Sequence, residues 1–214
     1  MKTQEKRYCI AVQKDGKLKD TSLLLLEKMG LKVPADLGRK LTYRSTDVPL
    51  DIIFLRNRDI PTFVHNGSVD FAIVGEDVLS EAECDVDIVA KCNFGDCTLS
   101  IAVPKDSGIK NAKQLVNKRI ATSYPNALTK YLTENNIDAS VVTLRGGSEV
   151  APFCGFADAV CEIVQTGETL VANDLEVLET IFSSTATLIK KKSISDSVTS
   201  ALFGPVIKYC ALNI

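Results

Sequence analysis

Short apolar segments alternate with amphipathic ones along most of this chain, and this alternation constrains the fold more than any other feature. Asp51–Leu55, Phe71–Val74 and Arg119–Thr122 have the length and composition of buried strands, whereas Lys17–Met29 has the periodicity of a helix that stops at Gly30. Strands that alternate with helices form parallel sheets covered on both faces. The sequence therefore predicts an α/β fold.

The composition is that of an ordinary globular protein. Its 214 residues allow one large or two small domains, and 25 basic against 27 acidic residues give a formal charge of −2. This balance does not support binding of nucleic acid or of an anionic membrane, and no apolar run is long enough to span a bilayer. The seven cysteines lack the spacing of a disulfide framework or a zinc site, so we expect reduced thiols and a cytoplasmic location.

The segment Ala157–Leu170 carries the strongest chemical signal. An apolar strand with one acidic residue, Glu162, runs into the turn Thr166–Thr169 and then into a helix. Backbone N–H groups and two threonine hydroxyls would surround a small concavity suited to a phosphate monoester, and Gly167 would allow close approach. Glu162 could hold ribose hydroxyls or a Mg²⁺ ion that accompanies pyrophosphate. A common turn capped by threonine is the alternative interpretation.

Cationic side chains form a second cluster upstream. Lys14 and Lys17 lie at the start of a predicted helix, where they oppose the helix dipole unless an anion binds there. Arg56 and Arg58 follow a buried strand, at the end where open α/β sheets bind ligands. The alternative is a solvated basic loop.

Four further residues are weaker candidates for a nucleotide site. Asp70 and Gly75 flank one strand, Tyr124 could stack its ring on a base, and Glu149 could face the phosphate site. Asp70 could equally cap or pair locally, and Glu149 could cap a helix that the sequence predicts over Glu149–Phe156. His65, the only histidine, has no neighbours at a spacing that indicates nucleophilic catalysis.

Seven segments, taken in order, resemble the ATP phosphoribosyltransferase family, which catalyses the first step of histidine biosynthesis. They are Ile10–Leu18, Arg56–Pro61, Gly67–Gly75, Phe94–Pro104, Arg119–Pro125, Glu149–Pro152 and Ala157–Asn173. Their shared order, rather than any one segment, makes the resemblance specific. The part of the chain beyond Lys190 carries little of it.

The resemblance implies a two-lobe fold like that of type II periplasmic binding proteins, with mixed, mostly parallel sheets. Lobe I would comprise residues 1–97 and 186–214, and lobe II would comprise residues 98–185 with the loop that binds phosphoribosyl pyrophosphate. Two crossing strands would join the lobes. The stretch Lys91–Pro104, which continues as strand without a linker, fits such a crossing.

The implied reaction joins ATP and phosphoribosyl pyrophosphate to give phosphoribosyl-ATP and pyrophosphate, with Mg²⁺ brought by the substrate. Adenine N1 attacks the anomeric carbon with its free lone pair, so no strong general base is needed. By the same resemblance, the catalytic residues would be Lys14, Lys17 and Arg56. The donor would be bound by Asp158, Glu162, Thr166, Gly167, Glu168 and Thr169, and the nucleotide by Asp70, Gly75, Tyr124 and Glu149. The resemblance assigns no metal ligands.

Length adds an expectation about partners. Long family members carry a C-terminal domain that binds histidine, whereas short ones work with a regulatory subunit built like a histidyl-tRNA synthetase. We therefore expect a short-form catalytic subunit in a homo-oligomer or a hetero-oligomer. A truncated long form is the alternative, because the loop Gln13–Lys17 looks more like long-form sequences. The chain departs from the family pattern at Lys17, commonly Arg, and at Gly147-Ser148, usually Ser-Val.

Two other classes of protein are alternatives to this family. A purine-type phosphoribosyltransferase would have two adjacent acidic residues before the Thr-Gly turn, where this chain has Cys161-Glu162. A non-enzymatic two-lobe binding protein would need no paired phosphate sites. The resemblance favours the ATP phosphoribosyltransferase family over both of these classes.

Overall fold

The computed structural model describes residues 6–34 and 39–212, with the backbone alone at Lys17 and Leu212. The strands are β1 (Tyr8–Gln13), β2 (Thr42–Arg44), β3 (Leu50–Leu55), β4 (Phe71–Gly75), β5 (Asp87–Lys91), β6 (Cys97–Pro104), β7 (Arg119–Thr122), β8 (Ser140–Thr143), β9 (Ala159–Val164), β10 (Leu175–Ser184) and β11 (Ala186–Lys190). The helices are α1 (Lys17–Glu27), α2 (Ile60–His65), α3 (Glu76–Ala82), α4 (Pro125–Glu134), α5 (Glu168–Ala172) and α6 (Asp196–Leu212). Across these described residues, no helix combines the length and apolar character needed to cross a membrane.

The described part of the chain divides into two compact units. Unit 1 takes in Met1–Gly95 and Thr185–Ile214, and unit 2 takes in Asp96–Ser184. The chain thus enters unit 2 after Gly95 and returns to unit 1 at Thr185, whereas the sequence prediction put these boundaries after residues 97 and 185.

Each unit is built on one mixed sheet. The strand order is β2-β3-β1-β4-β11-β5 in unit 1 and β10-β6-β9-β7-β8 in unit 2. Strand β1 runs parallel to β3 and β4, and β7 runs parallel to β8 and β9. The carboxyl ends of these parallel strands therefore lie at one edge of each sheet, which is where open α/β sheets bind ligands.

The sheets are mixed, as predicted, but they are not mostly parallel. Four of the nine strand pairings among the described residues are parallel, and the other five are antiparallel. One of the antiparallel pairings follows from the way the chain passes between the units. A chain that enters unit 2 along β6 and leaves it along β10 runs in opposite directions on these two paired strands.

Alternating side chains bury both faces of each sheet. In unit 1, Ile10 and Val12 pack into one apolar cluster while Ala11, between them, packs into another. In unit 2, Ile120 and Ala121 divide in the same way between two clusters. Successive side chains on a strand point to opposite faces, so a continuous apolar run marks a strand covered on both sides. This explains why the apolar runs in the sequence located the strands.

The segment that follows β8 differs from its prediction. The sequence suggested a helix over Glu149–Phe156, but the structure has one 3₁₀ turn, Ser148–Val150, followed by irregular turns. Pro152 has no N–H to continue a helix, and Gly155 has a left-handed φ of 66°. The short turn matters because it brings Ser148 to the carboxyl edge of the sheet in unit 2.

The contact between Phe203 of α6 and Phe71 of β4 should be a main source of stability in unit 1. Both rings are fully buried, and their centroids lie 4.6 Å apart. We expect Phe203→Ala to lower the free energy of unfolding by about 3–5 kcal/mol, measured by urea denaturation followed by circular dichroism. The control Phe153→Ala removes a ring that is 94% exposed and should change it by less than about 0.5 kcal/mol. Equal losses for the two variants would contradict the assignment of the core.

Candidate active site

The carboxyl ends of three parallel strands gather predicted site residues in unit 1. The register of β1 and β3 ends at Gln13 opposite Leu55, so Lys14 and Arg56 follow on neighbouring strands. The Lys14 N–H donates to the Leu55 carbonyl at 2.7 Å, and both the Lys14 and Arg56 side chains are exposed. Gly75 ends β4, the other parallel neighbour of β1, at this same edge. Unit 1 thus presents two cations at the edge of its sheet.

Gly16 shapes the connection from β1 to α1. Its φ of 89° lies in the left-handed region, and a Cβ there would come within 3.3 Å of the Gln13 side chain. A residue without a side chain is therefore needed where the strand turns into the helix. Lys17 begins that helix, but its side chain lies outside the described residues, so its predicted role is not addressed by any contact.

A cavity of about 850 Å³ opens beside Lys14 within unit 1. Its wall combines apolar side chains, including Leu23, Leu41 and Phe54, with four cationic side chains and three acidic ones, Asp15, Asp20 and Glu27. The Lys19 ammonium lies 5.6 Å from the centroid of the Phe54 ring. The wall thus offers an apolar surface together with charges of both signs.

In unit 2, the carboxylate of Glu162 is held at the carboxyl edge by two serines. Oε1 accepts hydrogen bonds from the backbone N–H of Ser123 at 2.7 Å and from the hydroxyl of Ser148 at 2.5 Å. Oε2 accepts a hydrogen bond from the hydroxyl of Ser123 at 2.8 Å. The parallel register explains the contact with Ser123, because Thr122 lies opposite Cys161 and the next residues are Ser123 and Glu162. Glu162 is half-buried and has a fixed position.

The predicted phosphate loop follows β9 at the same edge of unit 2. Gly167 has a φ of 78° and precedes α5, whose first residues are Glu168 and Thr169. Thr166, Glu168 and Thr169 are all exposed, and the Thr166 hydroxyl accepts from the Glu168 N–H at a long 3.5 Å. The first N–H groups of a helix have no acceptor within it, so they are available to an anion. Glu162 and the loop Thr166–Thr169 therefore follow one another at the carboxyl end of β9.

Asp158 lies at the other end of β9 from the loop Thr166–Thr169, and its contacts are with Arg119. It directly precedes the strand, whose six residues span about 20 Å at about 3.3 Å per residue. Its carboxylate accepts from the backbone N–H of Arg119 at 2.8 Å and from the Arg119 Nε at 3.3 Å. The Arg119 guanidinium and N–H hold the pKa of the Asp158 carboxyl below its ordinary value. Asp158 therefore links the starts of β7 and β9.

Asp70, predicted for a nucleotide site, likewise makes contacts that link neighbouring strands. It precedes β4, at the amino ends of the parallel strands in unit 1. Its Oδ2 accepts from the Cys9 N–H at 2.9 Å, and its Oδ1 pairs with the Lys191 ammonium at 2.6 Å. These contacts tie the start of β4 to β1 and to the end of β11. The opposite edge of this sheet carries Lys14 and Arg56.

The two remaining nucleotide candidates have different surroundings. The Tyr124 ring is 8% exposed and packs in the core of unit 2, so stacking on a base, as predicted, is not open to it in this structure. Pro125 in the first turn of α4 directly follows it. Glu149 lies next to Ser148 on the 3₁₀ turn and is half-buried, so it remains at the edge that carries Glu162.

Sequence reasoning missed Ser123 and Ser148. Ser123 is 6% exposed and Ser148 is fully buried, yet both aim a hydroxyl at the Glu162 carboxylate. Ser123 directly follows β7, so a search for polar residues after each strand could have found it. Ser148 had no such signal, because it does not directly follow a strand: it lies five residues after the end of β8, just before the helix predicted over Glu149–Phe156.

Comparison with known sequences identifies the family. The sequence model described as HisG, ATP phosphoribosyltransferase, matches residues 56–205. An ATP phosphoribosyltransferase from Cytophaga hutchinsonii is 39% identical over 216 residues, and the match covers 96% of this chain and 75% of that protein. The chain belongs to the ATP phosphoribosyltransferase family. Another ATP phosphoribosyltransferase, from Maricaulis maris, is 39% identical over 194 residues, and the match covers 87% of this chain and 65% of that protein. Both relatives are therefore longer than this chain.

Solved structures agree with the family and with the predicted fold. The ATP phosphoribosyl transferase (HisG:HisZ) complex from Thermotoga maritima contains a chain with a TM-score of 0.79 and 26% identity, and the match covers 96% of this chain and 99% of that one. The substrate binding protein of an amino acid ABC transporter is similar in fold alone, with a TM-score of 0.61 and 15% identity over 95% of this chain and 91% of that one. The expectation of a fold like that of periplasmic binding proteins is confirmed.

The contact between Asp158 and Arg119 generates a pH-dependent prediction. Because the pKa of Asp158 is lowered in the folded chain, its stabilising effect is present above the unfolded value of about 3.9 and is lost as the pH falls through the folded value. The free energy of unfolding of Asp158→Asn should therefore differ most from the unmutated chain at neutral pH, and the difference should shrink below about pH 4. Urea denaturation across this pH range measures it. The exposed Asp106→Asn is the control; a pH-independent difference for Asp158→Asn would contradict the prediction.

Proposed function

We propose that the chain transfers the phosphoribosyl group of phosphoribosyl pyrophosphate to N1 of the adenine of ATP. The products are phosphoribosyl-ATP and pyrophosphate, in the first step of L-histidine biosynthesis. The observation that carries the proposal is that Glu162 and the Thr-Gly-Glu-Thr loop lie in succession at the carboxyl end of β9, in a chain of this family. An acid beside an anion loop suits a sugar phosphate, which has both hydroxyls and a phosphate.

The loop Thr166–Thr169 would bind the 5′-phosphate of the donor. The N–H groups at the start of α5 and the hydroxyls of Thr166 and Thr169 supply the donors, and the left-handed Gly167 turns the backbone toward the anion. The Glu168 side chain is exposed, which lets it point away from the phosphate. Glu162 would accept hydrogen bonds from ribose hydroxyls at the same edge.

Lys14 and Arg56 would stabilise the charge of pyrophosphate or of the ATP phosphates. Arginine can hold two phosphate oxygens at once, and lysine adds a mobile positive charge. The proposed set also includes Lys17, by its position at the start of α1. The cavity beside Lys14 supports the proposal that a nucleotide binds at this edge of unit 1.

Mg²⁺ would arrive with the donor. Within the ranges that the structure describes, no group of three or more His, Cys, Asp or Glu side chains is arranged to hold a metal. Mg²⁺ at phosphate sites keeps several waters and needs only one or two carboxylates besides the substrate phosphates. Glu162 is a carboxylate of the right kind at the donor loop, and the ion would neutralise charge on the departing pyrophosphate.

The reaction needs mainly the positioning of the two substrates and the stabilisation of charge on the leaving pyrophosphate. Adenine N1 attacks the anomeric carbon as the bond from that carbon to the pyrophosphate oxygen breaks, and the attacking nitrogen carries no proton to remove. Holding both substrates lowers the entropic barrier, and cations near the leaving group stabilise its charge. This accounts for a site without a catalytic histidine: the exposed His65 lies 3.2 Å from the Asp85 carbonyl oxygen.

We also propose a hetero-oligomer with a regulatory subunit of the HisZ type, in the cytoplasm. The support is the match to 99% of a chain from the HisG:HisZ complex. All seven cysteines are free thiols, which suits a reducing compartment.

A direct assay tests the proposed activity. The purified chain is incubated with ATP, phosphoribosyl pyrophosphate, Mg²⁺ and pyrophosphatase, and phosphoribosyl-ATP is followed by its absorbance and mass. Product formation supports the enzyme. A folded chain that binds both substrates but forms no product, with or without a HisZ-type subunit, would contradict it.

Thr169→Val tests the phosphate loop. The variant removes a hydroxyl of the proposed donor site while keeping the shape of the side chain. We expect the apparent KM for phosphoribosyl pyrophosphate to rise about tenfold or more, because a hydrogen bond to a charged group contributes about 1.5–3 kcal/mol, and the KM for ATP to change less. Thr133→Val, at an exposed position of α4, is the matched control. An unchanged donor KM in Thr169→Val would move the phosphate site elsewhere.

Histidine sensitivity tests the proposed regulation. If histidine acts through a separate subunit, the isolated chain should keep its rate at millimolar histidine. The measurement is initial rate against histidine concentration, with saturating substrates. Inhibition of the isolated chain by histidine would show that it carries the regulatory site itself.

A further inference from the structure

The Ser148 hydroxyl contacts Glu162, and this contact has no role in the reaction as proposed above. Ser148 is fully buried on a short 3₁₀ turn, and its hydroxyl donates to Glu162 Oε1 at 2.5 Å. A buried hydroxyl that donates to the Glu162 carboxylate of the proposed donor site could position that carboxylate.

The hydrogen bonds of Glu162 show which of its oxygens remains open. An ionised carboxylate accepts about four hydrogen bonds, two on each oxygen. Oε1 receives two, from the Ser123 N–H and the Ser148 hydroxyl, while Oε2 receives one, from the Ser123 hydroxyl. Oε1 is therefore filled by these two donors, and Oε2 has one acceptor position left.

We propose that Ser148 is a positioning residue, which together with Ser123 fixes the Glu162 carboxylate so that Oε2 alone accepts a ribose hydroxyl of the donor. The proposal rests on the proposed function of the donor site. A glutamate side chain in solution samples many rotamers, and fixing it before the ligand binds reduces the entropy lost on binding. The two serines come from different elements, the end of β7 and the 3₁₀ turn, so the carboxylate is held from two sides.

A purely structural role for the same contact makes a different prediction. If Glu162 only fastens the 3₁₀ turn to β9, then Ser148→Ala should lower stability and leave donor binding unchanged. If Ser148 positions the carboxylate, donor binding weakens even where stability is kept. The two roles also differ in how the effects of Ser148 and Glu162 combine.

The experiment is a double-mutant cycle with Ser148→Ala and Glu162→Gln in the full chain. We expect Ser148→Ala to raise the KM for phosphoribosyl pyrophosphate about tenfold, with the KM for ATP unchanged, and to have little further effect when Glu162 is already Gln. The control Ser22→Ala removes an equally buried serine in unit 1, whose hydroxyl donates to the Leu18 carbonyl at 2.6 Å. An unchanged donor KM in Ser148→Ala, or effects that multiply fully in the double variant, would overturn the proposal.

A binding measurement separates this inference from the proposed function. The dissociation constant of ribose 5-phosphate is measured by calorimetry, without ATP, for the unmutated chain and for Ser148→Ala. If the unmutated chain binds ribose 5-phosphate but makes no phosphoribosyl-ATP, the transfer reaction fails, and a roughly tenfold weaker binding in Ser148→Ala still supports the positioning role. If the unmutated chain makes phosphoribosyl-ATP and Ser148→Ala binds ribose 5-phosphate equally well, the positioning role alone is wrong.

Discussion

The parallel pairing of β7 with β9 is the interaction on which the proposed donor site depends. Its register puts Thr122 opposite Cys161, so the next residue on each strand, Ser123 and Glu162, meet at the carboxyl edge. A shift of one residue would turn every side chain of β9 to the other face and move Glu162 away from Ser123. The same shift would exchange the apolar residues of β9 between two buried clusters, because Ala159 and Cys161 pack in one and Val160 in the other. The core therefore determines the geometry of the polar site.

Much of the fold and part of the site could be predicted from the sequence. Strands buried on both faces appear as apolar runs, and the Thr-Gly-Glu-Thr turn after Glu162 is a local pattern that needs no knowledge of the fold. Asp158 and Asp70 were assigned to sites because they are close in sequence to site segments. Each precedes its strand, so each lies at the amino edge, where it links neighbouring elements. Direction along the strand, which the sequence does give, separates both residues from the carboxyl edges of the sheets.

Other features could not be predicted from one sequence. The burial of Tyr124 depends on how α4 packs on the sheet of unit 2, and the contact of Ser148 with Glu162 depends on the path of an irregular turn. The proportion of antiparallel pairings depends on strand order, which local patterns do not contain. In each case the missing information is a contact between segments far apart in the chain.

The position of β11 has a consequence for how the chain reaches its fold. This strand lies between β4 and β5 in the sheet of unit 1, although all of unit 2 separates it from them in the sequence. During synthesis, β4 and β5 cannot pair with β11 until the whole of unit 2 has been made. Unit 2 is one continuous stretch and can form all of its strand pairings first. The order of synthesis therefore favours completion of unit 2 before the sheet of unit 1, which carries Lys14 and Arg56.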